Sequence, residues 1–190
     1  RGIYKSDRAV SPAPVVADNF LANPAQGTPN DNHIAISNEG KIVSVVNTNI
    51  RVYNESGTQL QSKTLIGFAG LGLGSSTSDP RVLYDPWEDR FIIHFFAGNA
   101  SVTSKLIVAF SQTNNPVGNW NIYQLTGNYL NDTTWSDYPI VALNDKDFFM
   151  TYNHLKDGED WKTGFRYSAI WQIDKTNGYA GDTLQFNYWH

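Results

Sequence analysis

A chain of 190 residues is long enough for one substantial core and too short for two comfortable domains. Hydrophobic residues make up 41%, aromatic residues 14% and charged residues only 17%, so there is ample apolar surface to bury and a disordered polyampholyte is excluded. The formal net charge of −4 leaves no basic excess to neutralise phosphates, which argues against a nucleic-acid partner. No apolar run approaches the roughly 18–20 residues that span a bilayer, so no transmembrane segment is expected.

Cysteine is absent, which removes both a disulfide framework and a thiolate metal site. Arg1 opens the chain with neither an initiator Met nor a signal-like apolar segment, and it reads as a processed or downstream start. Plentiful Asn, Ser, Thr, Tyr and Trp beside scarce Lys and Glu suggest an extracellular protein.

In chain order, residues 1–30, with Pro12, Pro14 and Pro24, read as an irregular lead-in. Lys41–Asn47 and Asn49–Tyr53 are β-branched runs close enough to pair. Arg90–Phe96 and Lys105–Phe110 are apolar on both faces, the pattern of strands buried on both sides. Trp120–Gln124, Asp147–Tyr152, Tyr167–Ile173 and Thr183–Phe186 complete the strands, with turns at Asn54–Gly57, Asn114–Gly118 and Thr176–Gly178. Sustained helical periodicity is missing. The Gly67–Gly74 stretch lacks the Lys-Ser/Thr of a phosphate loop and reads as a flexible linker. The class is all-β.

A repeat underlies this order. Asp31-Asn-His-Ile34, Asp79-Pro-Arg-Val82 and Asp137-Tyr-Pro-Ile140 each place an Asp three residues before an aliphatic residue at the start of a short apolar strand. Four strands per roughly 50 residues is the blade of a β-propeller. The expected division is a lead-in over 1–30, a first blade over 31–78, a second over 79–136 and a third over 137–190. Three four-stranded antiparallel blades do not close a ring, and an open arc leaves two blade faces against water. The remainder of a six- to seven-bladed propeller is therefore an expected partner.

Several of these segments resemble a known family. Thr28–Ile36 followed by Val45–Gly57, Asp79-Pro-Arg-Val-Leu-Tyr-Asp85, Asn114-Asn-Pro-Val-Gly-Asn-Trp120 and Trp135-Ser-Asp-Tyr-Pro139 resemble the blade motifs of a secreted bacterial β-propeller family. That family is common among Bacteroidota proteins exported by type IX secretion. The likeness covers about residues 28–155, and its motifs are structural; the glycine turn that precedes the family's first blade is missing. The resemblance implies an exported or cell-surface protein of a Gram-negative bacterium.

Candidate chemistry is sparse. Asp31, Asp79 and Asp137 would sit at equivalent positions near one channel mouth, where three carboxylates could hold a hard cation such as Ca²⁺. Alternatively each caps its own strand start as an Asx turn. Trp87, beside three acids in Asp85–Arg90, and likewise Trp135 and Trp161, could stack on a sugar ring or pack back onto the sheet. Asp145, Asp147, Asp157, Glu159 and Asp160 read as solvated turn residues, and His94 as a hydrogen-bonded core residue. Asn54, Asn99 and Asn131 head N-x-[ST] acceptor triplets. Thr133 and Thr183 follow Asp in the D-[ST]-containing pattern of Bacteroidota O-glycosylation. Neither a nucleophile elbow nor a sialidase Asp-box is present. The leading reading is a non-enzymatic propeller module, an adhesin-like surface glycoprotein fragment that contacts protein or glycan. The alternative is the propeller part of a secreted carbohydrate-active enzyme.

Overall fold

The computed structural model describes residues 12, 13, 15, 16, 19–24 and 27–190. The rest of the expected lead-in lies outside the described residues. Three four-stranded antiparallel sheets follow one another along the chain. The first comprises β1 (His33–Ile36), β2 (Ile42–Val46), β3 (Asn49–Tyr53) and β4 (Gln59–Thr64). The second comprises β5 (Thr77–Asp85), β6 (Arg90–Ala97), β7 (Lys105–Ser111) and β8 (Trp120–Thr126). The third comprises β9 (Thr134–Leu143), β10 (Asp147–Lys156), β11 (Phe165–Asp174) and β12 (Phe186–Trp189). Strands stand side by side in chain order within each sheet, as consecutive antiparallel neighbours can when short turns join them. No helix among the described residues is long and apolar enough to cross a membrane.

The middle sheet is buried on both faces, which is why β6 and β7 carry apolar residues at successive positions. Side chains alternate across a strand. Phe91, Ile93, Phe95, Ile107 and Ala109 therefore face the first sheet, where they meet Val43, Val45, Ile50 and Val52. Ile92, Phe96, Leu106, Val108 and Phe110 face the third, against Phe148, Met150, Tyr152 and Trp171. Burying each such side chain stabilises by about 1.5–3 kcal/mol.

Three short helices correct the all-strand expectation. α1 (Leu65–Ala69) occupies the beginning of the Gly-rich stretch expected to be a flexible linker; Thr64 caps it, accepting the Gly67 N–H at 3.0 Å. Its Leu65, Phe68 and Ala69 are buried in the layer between the first two sheets. α2 (Trp161–Gly164) is capped by Asp160. α3 (Lys175–Ala180), capped by Asp174, lies where the sequence suggests only a turn and supplies Tyr179 to the second apolar layer. Helices of one turn show no readable periodicity, and their caps identify them instead. Gly178 lets α3 lie directly on Phe110, since a Cβ there would stand 2.5 Å from the ring. The last strand is also displaced: Phe186 starts β12 rather than ending a strand, and Leu184 before it is buried in the second layer.

One buried ion pair joins the second and third sheets. Asp85, at the end of β5, is fully buried, and so is Lys175 at the start of α3. Their Oδ2 and Nζ atoms are 2.6 Å apart, and Nζ also donates to the Asn144 carbonyl at 2.6 Å. The Tyr179 hydroxyl donates to the same Oδ2 at 2.9 Å, and the backbone N–H of Trp87 donates to Oδ1 at 3.1 Å. Every oxygen of the carboxylate is thus satisfied, the condition under which a buried charge is tolerated. Lys175→Met is expected to cost about 3–5 kcal/mol, because it strands a buried carboxylate. Denaturant titration should show this, with Asp85→Asn/Lys175→Met recovering much of the loss.

Candidate functional site

The three sheets begin at a common end. Backbone φ is +43° at Asp31, +52° at Asp79 and +52° at Tyr138, left-handed values that Asn and Asp accept more readily than most residues. Asp79-Pro80 and Tyr138-Pro139 interrupt the pairing of β5 with β6 and of β9 with β10 as bulges. The repeat in the fold is therefore one residue out of step with the repeat in the sequence. Tyr138, not Asp137, is the backbone counterpart of Asp31 and Asp79. The first strands of the second and third sheets also begin at Thr77 and Thr134, two and three residues ahead of the expected boundaries at 79 and 137.

The three carboxyls nevertheless meet. Asp79 shares a hydrogen bond with Asp31 and another with Asp137. Burial, reinforced by the charges of Asp137 and Asp31, raises the Asp79 carboxyl from 3.8 to about 6, with Arg81 opposing the rise. Burial also raises Asp137. Asn47, from the tight turn after β2, completes the cluster: its Nδ2 donates to Asp31 Oδ2 at 2.7 Å and its Oδ1 accepts the Asp79 N–H at 2.7 Å. Arg81 donates through Nε to the Pro139 carbonyl at 3.1 Å, and His33 Nδ1 lies 3.0 Å from the Val82 carbonyl. The cluster thus ties the starts of all three sheets together through Asn47 and the adjoining carboxyls. Among the described residues no group of three or more His, Asp or Glu side chains is arranged to hold a metal ion.

The candidate sugar platforms do not gather. Successive antiparallel strands alternate in direction, so the β5–β6 turn with Trp87 lies at the end opposite the Asp cluster. The β9 start with Trp135 and the β10–β11 connection with Trp161 lie at the cluster's end. Trp87 is 57% exposed and Trp161 67% exposed, while Trp135 is half-buried. The Lys175 ammonium sits 5.1 Å from the Trp87 ring. Of the three acids beside Trp87, Asp85 is consumed by the ion pair and Asp89 accepts from Tyr84 and Asn114 at 2.6 and 3.1 Å. Glu88 alone is exposed.

The remaining sequence candidates are placed as follows. Asn99, Asn131, Thr133 and Thr183 are exposed. Asn54 is half-buried, its Oδ1 accepting from Ser56 Oγ and Thr58 N at 2.8 Å each. Several acids expected to be solvated are tied down. Asp157 Oδ1 accepts the Ser101 N–H at 2.8 Å, Asp160 caps α2, and Glu159 pairs with Arg166 at 2.6 Å. His94 is a buried core residue, Nδ1 donating to the Ile107 carbonyl at 2.8 Å, and burial lowers its pKa to about 3.

A second polar cluster had no sequence signature. Asp132 Oδ1 accepts the Thr134 hydroxyl at 2.6 Å, and Thr134 Oγ1 lies 3.0 Å from His154 Nδ1. That order makes Nδ1 the protonated nitrogen and leaves buried Nε2 without a partner. The His154 ring stacks on Tyr167 at 4.4 Å, and burial lowers its pKa to about 4 despite the Asp132 charge. Its members span residues 132–167 and join through strand pairing of β9 with β10 and of β10 with β11.

No protein-family model matches the chain, and no curated protein sequence matches it. Among solved structures, a protein of unknown function from Bacteroides caccae is similar at 10% identity, over 81% of this chain and 76% of that one, with a TM-score of 0.26. At that level neither fold nor function transfers. The class that the coordinates define is an all-β protein of three stacked four-stranded sheets.

Asp79 binds its proton more tightly folded than unfolded, so its contribution to stability is complete below about pH 4 and is lost as pH rises through about 6. His94 and His154, shifted downward, oppose that trend. The difference from Asp79→Asn isolates Asp79, because Asn tolerates the positive φ and still donates to both neighbours. The variant should melt with wild type at pH 4 and several degrees above it at pH 7.5, as thermal scans across this range would show.

Proposed function

We propose that the three sheets are consecutive blades of a β-propeller and that the chain is a non-enzymatic binding module of an exported bacterial protein. One observation carries this reading: each four-stranded sheet begins at the same left-handed bend and stacks face to face on the next in chain order. The motif resemblance agrees with it, and so does the exposed position of Asn99, Asn131, Thr133 and Thr183 among the candidate glycosylation residues.

The contact class we favour is glycan, through Trp87. Its indole is exposed on a turn whose backbone is anchored by the Asp85 carboxylate, and Glu88 beside it is free to accept sugar hydroxyls. A rigidly mounted aromatic face with an adjacent acceptor suits a pyranose ring. Enzymatic glycoside cleavage needs two carboxyls about 5–9.5 Å apart. Asp79 and Asp137 instead hydrogen-bond directly, so they do not supply that pair.

Screening the protein on a glycan array should give binding without turnover. Trp87→Ala is expected to weaken the best glycan at least tenfold, whereas Trp161→Ala, at the opposite end, leaves it within twofold. Equal binding by wild type and Trp87→Ala would refute the assignment of the platform.

A further inference from the structure

The fold treats its two buried histidines differently. His94 has both ring nitrogens engaged: Nδ1 donates to the Ile107 carbonyl at 2.8 Å, and Nε2 lies 3.3 Å from the Tyr152 hydroxyl. His154 is buried as deeply, with 1% of its surface exposed, but only its Nδ1 is engaged, with Thr134 Oγ1 at 3.0 Å. Its Nε2 is buried without a hydrogen-bond partner. Because burial lowers the His154 pKa to about 4, that nitrogen carries a free lone pair at neutral pH. A buried acceptor in this state is destabilising unless a bound group fills it.

The surroundings supply further donors. His154 follows Tyr152 by two residues on β10, so it shares the face turned to the second apolar layer, and it pairs across the sheet with Tyr167 of β11. The His190 ring stands beside both tyrosines of this group, 5.7 Å from that of Tyr167 and 5.8 Å from that of Tyr188. Its charge opposes protonation of His154. The Tyr188 hydroxyl is a second buried polar atom here without a partner. Burial raises its pKa above the ordinary phenol range, so it stays a neutral oxygen donor. His190 is exposed, and its ring is free to turn toward the group that Nε2 binds. Behind His154 the orientation is fixed: Nδ1–H donates to Thr134, whose hydroxyl donates to Asp132 Oδ1 at 2.6 Å. Metal-ligating histidines are held in this way, with the second ring nitrogen tied by a hydrogen bond.

We propose that His154 Nε2, the His190 imidazole and the Tyr188 hydroxyl bind a divalent transition-metal ion of the Zn²⁺ type where β10, β11 and the end of β12 meet. Two imidazoles suit Zn²⁺, Cu²⁺ or Ni²⁺, whereas hard cations such as Ca²⁺ prefer an all-oxygen shell. Water completes the coordination. Only two of the three donors are of the His, Asp or Glu type, and the third is a phenol, so the set differs from the carboxyl cluster of Asp31, Asp79 and Asp137. The bound ion satisfies both unpartnered atoms and ties β12 to β10 across β11.

Calorimetric titration of the EDTA-treated chain with Zn²⁺ is expected to show one equivalent bound per chain, and titration with Ca²⁺ none. Co²⁺ in place of Zn²⁺ should give visible absorption bands more intense than those of the aqueous ion. His154→Phe and His190→Ala should each abolish the Zn²⁺ equivalent and the Co²⁺ bands. Thr134→Val keeps every ligand but releases the His154 ring, and it should weaken Zn²⁺ binding about tenfold. His190→Ala alters an exposed side chain, so it decides the matter even if the buried substitution unfolds the protein. An absence of Zn²⁺ uptake, equal uptake of Ca²⁺, or an equivalent that survives both histidine substitutions would overturn the proposal.

Discussion

The structure depends on one sheet being dry on both sides. β6 and β7 present an aromatic or aliphatic side chain to each neighbour in turn, so the middle sheet is stable only while the flanking sheets cover it. The packing is tight enough that a glycine is required where α3 meets Phe110, and interiors at crystal-like density tolerate little change of volume. The flanking sheets inherit their positions from this constraint. Each has one face dictated by the middle sheet and one face left over.

Polar groups lock the junctions at their two ends. At the far end Asp85 and Lys175 join the β5–β6 turn to α3, and Asn144 draws in the β9–β10 turn. At the opening end Asn47, the Asp cluster and the Ser101–Asp157 contact tie the sheet starts and loops together. Apolar layers are non-directional, and a sheet can slide along one. Charge-assisted hydrogen bonds are directional, so these contacts hold the sheets in register. In the Asp cluster burial raises Asp79 and Asp137, so these two acids stabilise when protonated rather than when charged.

The reading of function follows from what is left over once these structural roles are subtracted. Asp85, Asp89, Asp157, Glu159, Asp160 and His94 all have structural partners. Trp87 retains an open indole face on an anchored turn, and among the described residues Ile140, Ile170 and Trp189 of the third sheet stay exposed. Surfaces of these two kinds recognise other molecules; they do not by themselves activate bonds.

Much of the fold was legible in the chain because it rests on local pattern. The all-β class, the double-sided burial of β6 and β7, the three-fold recurrence and the core position of His94 all follow from residue order. β4 was not legible, since Gln59–Thr64 is polar and exposed and only backbone pairing with β3 makes it a strand. The short helices escaped because one turn has no period, and Lys175 because a lysine in a polar turn shows nothing of a carboxylate 90 residues away. The Asp repeat was seen but misaligned: spacing cannot reveal that the bulge at Tyr138-Pro139 moves the left-handed residue past Asp137. What residue order determined by itself was which side chains avoid water. Which charges meet and which tryptophan stays open were decided only by tertiary structure, because those depend on distances between segments that the chain brings together last.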